Sequence, residues 1–152
     1  MDAQSPCRTS GKGLRGGCAS RPRAGFLNTL LVYEPMSVLL RVAYDGTDFS
    51  GFARQPGTRT VQGTLEQALS TLYGQELLVA CASRTDAGVH ARGSLVSFMA
   101  PPTIPAERIP FALVGLLPAD LSVTAAWREE HPGSPGTLVE PRFFNLGKHY
   151  RY

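Results

Sequence analysis

The chain has little of what a membrane, disulfide or metal protein needs. No apolar run approaches the roughly 20 residues of a bilayer-spanning helix; the longest candidate, Phe26 to Tyr33, is short and broken by Asn28 and Thr29. No membrane partner is expected. Cysteine is scarce as well: Cys7, Cys18 and Cys81 cannot all pair and share no metal-ligand spacing, which argues against a disulfide framework and a zinc site and fits a reducing cytoplasm. His90, His131 and His149 are too dispersed to add a metal constellation. Glycine loops of the phosphate-cradling kind are missing, since Gly11-Lys12-Gly13 and Gly16-Gly17 follow no strand. Nucleoside triphosphates and nicotinamide cofactors therefore have no support, and no cofactor is expected. No Ser or Cys sits in a nucleophile elbow.

What remains is a chain of 152 residues, 43% hydrophobic and 18% charged, enough for one globular domain with a real core. The sequence pI near 9.0 invites a nucleic-acid argument, but the location of the charge weakens it. Arg8, Lys12, Arg15, Arg21 and Arg23 oppose only Asp2 and Glu34, so residues 1–35 hold the whole formal surplus of +3. Residues 36–152 are formally neutral. A local cluster remains, Arg54, Arg59, Arg84 and Arg92, and clustering of that kind can bind phosphates.

Residues 1–35 are rich in Gly, Ser, Arg and Pro without periodicity, which predicts a disordered basic leader. Met36 opens the patterned part, so an initiation site set too far upstream, or an appended extension, is one reading; a basic tail that touches RNA is the other. Val38, Leu40, Val42 and Tyr44 alternate as a first strand. Asp45-Gly46-Thr47-Asp48 turns the chain, and Gly51 through Gly57 continues as loop. Val61, Leu65, Ala68, Leu69 and Leu72 mark one face of a helix, with Thr60 as N-cap and Gly74 as its stop. Leu77–Ala82 reads as a second strand and Leu95–Met99 as a third, ended by Pro101-Pro102. Pro105–Leu116 reads as a second helix whose first turn is set by Pro110, and Leu121 to Trp127 as a fourth strand. The order βαββαβ predicts a ferredoxin-like, or RNA-recognition-like, α+β sandwich with both helices on one face of an antiparallel sheet and the other face free for a partner. Glu129 through Gly136 is loop. Lys148–Tyr152 alternates aromatic and polar residues like a strand beginning without its pairing partner, as if the sequence were incomplete.

Between the second and third strands lies Arg84-Thr85-Asp86-Ala87-Gly88-Val89-His90-Ala91. A plain connection rarely needs an arginine, a carboxylate, a glycine and a histidine together. The bland reading is an Asx-turn with a surface arginine; the sharper one is a carboxylate aimed and kept ionised by Arg84. Asp86 then suits a nucleophile or an electrostatic stabiliser. Gly88 supplies a backbone angle that a side chain forbids. His90 could carry a proton, but it lacks a second carboxylate at triad spacing, and the reading preferred is a structural residue that hydrogen-bonds the loop.

The stretch Tyr44-Asp45-Gly46-Thr47-Asp48-Phe49-Ser50-Gly51-Phe52, followed by Arg54-Gln55, Thr60-Val61-Gln62-Gly63-Thr64-Leu65-Glu66 and the octapeptide, resembles the tRNA pseudouridine synthase A family in order and separation. So do Leu117-Pro118-Ala119-Asp120-Leu121, Arg142-Phe143 and Lys148-x-Tyr150-Arg151-Tyr152. The resemblance spans residues 36–152, with departures at Ser83, at Phe52-Ala53 and at Phe144-Asn145. It implies isomerisation of uridine to pseudouridine in the anticodon stem-loop (tRNA positions 38–40), without cofactor. Asp86 becomes the catalytic aspartate by position, Tyr150 a ring that stacks on the extruded uracil, and Arg84 and Arg54 substrate-binding residues. Residues 36–131 become the N-terminal α+β domain, and 132–152 a linker and the start of a second domain in a two-half, cytoplasmic homodimer. The family's second half, with its arginine partner for the aspartate, has no counterpart in this sequence. The alternative is a non-catalytic RNA-binding module.

Overall fold

The computed structural model describes residues 34–129 and 136–151. The expected leader, apart from Glu34 and Pro35, and most of the polar loop after Glu129 lie outside the described residues. Four strands form one antiparallel sheet in the order β2-β3-β1-β4: β1 (Met36–Tyr44), β2 (Ala80–Cys81), β3 (Ala91–Ala100) and β4 (Leu121–Glu129). Helix α1 (Val61–Tyr73) joins β1 to β2, which flank β3 in parallel; helix α2 (Ile109–Leu113) joins β3 to β4, which flank β1 in the same way. Two such split β-α-β units make the expected ferredoxin-like topology.

Helix α1 follows its sequence signals. Thr60 stays extended (φ −128°) and its side chain accepts the Gly63 N–H, while Gly74 ends the helix in the left-handed region at φ 67°. Val61, Leu65, Ala68 and Leu69 are buried against Val38, Leu40 and Val42 of β1, with Val96, Phe98, Ile109 and Leu113 completing the core. Fully burying such a side chain contributes about 1.5–3 kcal/mol, so these residues hold the layers together.

Several elements differ from the sequence expectation; β3 begins at Ala91, four residues before the expected Leu95. β2 is two residues long, not six, because its approach spends its donors on α1: Leu77 N–H donates to Ser70 Oγ (3.1 Å) and Val79 N–H to Glu66 Oε1 (3.1 Å). Groups bonded to a helix cannot also form a ladder. The second helix is shorter than Pro105–Leu116: a 3₁₀ turn at Ala106–Arg108 leads into five α-helical residues, with Pro110 in the first turn as expected. Residues 145–151 pair with no strand among the described residues.

The second sheet face is not wholly free, contrary to expectation. Ser37, Leu39 and Ser97 point away from the helices yet are 2%, 5% and 0% exposed. The segment after Gly136 covers them. Val139 is buried and donates its N–H to Ser37 Oγ (3.0 Å), and a short helix α3 (Pro141–Phe144) packs on β3 and β2. Trp127 and Arg41 remain exposed on that face.

Candidate active site

The register brings the site together. Tyr44, the last residue of β1, pairs with Ala91, the first of β3, and with Leu121, the first of β4. The segments after β1, before β3 and before β4 therefore meet at one end of the sheet. These are Asp45–Phe52, Arg84–His90 and Leu117–Asp120.

The first two segments interlock through backbone. Phe52 N–H donates to the Thr85 carbonyl (2.9 Å), Gly88 N–H to the Phe49 carbonyl (3.3 Å), and Val89 N–H closes a turn on the Asp86 carbonyl (3.3 Å). Gly88 has φ 78°, the left-handed angle expected of it. Gly46 is needed for space: a Cβ there would lie 2.1 Å from the Val89 carbonyl oxygen. The Asp45 carboxylate accepts from Thr47 Oγ1 (2.6 Å) and Thr47 N–H (3.0 Å), an Asx-turn; these bonds, with His90 a lesser influence, hold its carboxyl below the usual range. His90 Nδ1 lies 3.1 Å from Asp45 Oδ1 and 3.3 Å from the Gly46 amide, so the imidazole ties the motif to the turn.

Asp86 stands exposed at the tip of this structure, and no hydrogen bond or ion pair holds its carboxylate among the described residues. Arg84, also exposed, is not paired with it. The Arg84 charge instead acts on the Cys81 thiol, whose pKa burial pushes up while Arg84 and, more weakly, Arg142 pull it down. Tyr150 is 61% exposed in an unpaired stretch, and no hydrogen bond joins it to the motif among the described residues.

The arginine cluster is divided. Arg54 Nη1 lies 3.2 Å from Glu66 Oε2; that carboxylate is buried and also accepts from Gln62 Nε2 and Val79 N–H. Arg59 makes a bidentate pair with Asp120, both contacts 2.7 Å, and its guanidinium lies 4.1 Å over the Phe49 ring. Arg84 and Arg92 have no carboxylate partner among the described residues. Sequence reasoning missed three arrangements here, the Arg54–Glu66 pair, the Arg59–Asp120 pair and a contact of 2.8 Å between Tyr44 Oη and Thr85 Oγ1. Asp120 was visible within Leu117-Pro118-Ala119-Asp120-Leu121, but spacing along the chain gave no partner for it.

Among the described residues no group of His, Cys, Asp and Glu could hold a metal ion, and no helix is long and apolar enough to cross a membrane. Residues 41–132 match the family described as tRNA pseudouridine synthase. Three curated relatives carry the name tRNA pseudouridine synthase A. That of Bacillus pumilus is 46% identical over 119 residues, 77% of this chain and 46% of the relative. That of Halalkalibacterium halodurans is 50% identical over 88 residues, 57% of this chain and 34% of the relative. That of Bacillus subtilis is 41% identical over 119 residues, with the same coverage as the first. The chain spans at most about half the length of these relatives. With the octapeptide, the split β-α-β topology and a match over most of the described residues in agreement, the chain belongs to the tRNA pseudouridine synthase family.

Proposed function

We propose that the intact protein converts uridine to pseudouridine in the anticodon stem-loop of tRNA, with Asp86 as the catalytic carboxylate. The observation that carries this reading is an exposed, unpaired carboxylate on a loop whose backbone is fixed from both sides, in a chain of this family. A carboxylate without a side-chain partner is open to a substrate, and a pinned backbone keeps it in place without induced movement.

The reaction breaks the bond between uracil N1 and the sugar C1′, turns the base, and joins C5 to C1′. The C5 proton leaves to solvent and N1 gains one, so no oxidant, reductant or cofactor enters the balance. Asp86 attacks the sugar or the base, or takes the C5 proton. The target nucleotide must first leave the helical stack. Arg84 holds a phosphate or fills the vacated space, Arg54 contributes the exposed side of its guanidinium to the backbone, and Tyr150 stacks on the extruded ring. Residues 36–131 act as the N-terminal half of a cytoplasmic homodimer, and 132–152 lead into its second half.

The test is tritium release from tRNA labelled at uracil C5. The intact protein releases label from wild-type tRNA and none once the anticodon-arm uridines are replaced by cytidine. Release that persists on the replaced tRNA contradicts the assigned site; no release from either tRNA contradicts the assigned reaction and favours a non-catalytic RNA-binding module.

A further inference from the structure

Resting on the reading of Asp86 above, we propose that Tyr44 is a positioning residue for that carboxylate and acts through Thr85. Tyr44 ends β1 with its side chain in the core, 5% exposed, and its phenol oxygen lies 2.8 Å from Thr85 Oγ1. The Thr85 carbonyl also accepts the Phe52 N–H at 2.9 Å. The residue before Asp86 is thus held by side chain and by backbone.

The consequence reaches Asp86 because a peptide unit is planar: the Thr85 carbonyl and the Asp86 N–H and Cα belong to one rigid group. Fixing the carbonyl fixes the Asp86 Cα, and the direction in which its side chain departs then turns only on the Asp86 φ angle. On its other side the Asp86 carbonyl accepts Val89 N–H, and Gly88 N–H is held by Phe49. The Tyr44 ring has little freedom, with Phe49 edge-on at 6.5 Å and Phe52 tilted at 6.3 Å. A partly buried hydroxyl is costly to leave unbonded, and this one is bonded to the residue adjoining the carboxylate.

The experiment measures tritium release from uracil-C5-labelled tRNA by the intact protein, resolved into kcat and KM, with thermal unfolding of each variant. Tyr44→Phe and Thr85→Val each lower kcat on the order of tenfold and leave KM within about twofold, since a small misplacement of a reacting group costs rate rather than affinity. The double variant falls no further than either single one, because both lose the same bond. Thr85→Ser, which keeps the hydroxyl, restores turnover. Unchanged kcat, a rise in KM alone, or additive losses overturn the proposal. Should Tyr44→Phe not fold, the Thr85→Val and Thr85→Ser pair decides the matter. Asp86→Ala separates the two readings: turnover surviving in it defeats the assignment of Asp86, whereas an inactive Asp86→Ala beside fully active Tyr44→Phe and Thr85→Val defeats only the positioning role.

Discussion

Arg59 joins three segments by one side chain. Its guanidinium grips Asp120 in a bidentate pair and covers Phe49, while its backbone carbonyl accepts the Ser50 N–H (2.8 Å). The pair leaves a pH signature. Asp120 is lowered, chiefly by its bonds to Arg59, and Asp45 by its bonds to Thr47. A carboxyl depressed in the folded state adds stability that is complete above its unfolded value of about 3.9 and is lost as pH falls through the lower folded value. The melting temperature should therefore hold steady down to about pH 5 and then fall, and Asp120→Asn should make that acid limb shallower. Thermal unfolding across an acid series checks it; an identical limb in the variant means that the pair contributes nothing, as is common for exposed pairs. Much of this scale was closed to sequence reading. The octapeptide was visible because its residues are contiguous, whereas Thr85, His90 and Arg59 meet partners 41, 44 and 61 positions away. Arg54 and Arg59 looked like free cations because nothing along the chain marks Glu66 and Asp120 as their partners.

At the scale of elements, local chemistry decided what could be foreseen. Helix α1 was legible because its apolar period, its cap and its terminal glycine agree, and each is a property of neighbouring residues. Thr60→Ala removes the side-chain acceptor of the Gly63 N–H (3.2 Å) and should cost about 0.5–2 kcal/mol. Urea unfolding reads this as a lower midpoint at unchanged slope; an unchanged midpoint means that the cap contributes nothing. Strand β2 was overestimated for the opposite reason. Leu77-Leu78-Val79 has a strand's composition, but Ser70 and Glu66 on α1 take two of its amide donors, a competition between elements that composition does not register. α2 was overextended because its apolar residues continue past Leu113, although Phe111 and Val114 turn out to be exposed at 77% and 74%.

For the whole molecule, the alternation of the strands and the order of the elements were sufficient to give the ferredoxin-like sheet, and that sheet explains the site. β1 ends where β3 and β4 begin, so segments far apart in sequence converge at one end of the sheet without any element being bent toward them. The cover over the second face was not legible, because Val139 and Pro141 lie in a stretch with no periodicity to attach them to a strand. The sheet supplies a rigid base, the interlocked loops a fixed backbone, and Asp86 an exposed carboxylate at its tip. The most direct measurement is single-turnover tritium release by the intact protein carrying Asp86→Asn, a change that removes the charge and keeps the shape, beside its affinity for tRNA. The account predicts release at background with affinity within about twofold of the parent, since a group that acts on the reacting atoms is missed in the transition state rather than in binding. Release at the parent rate would contradict it.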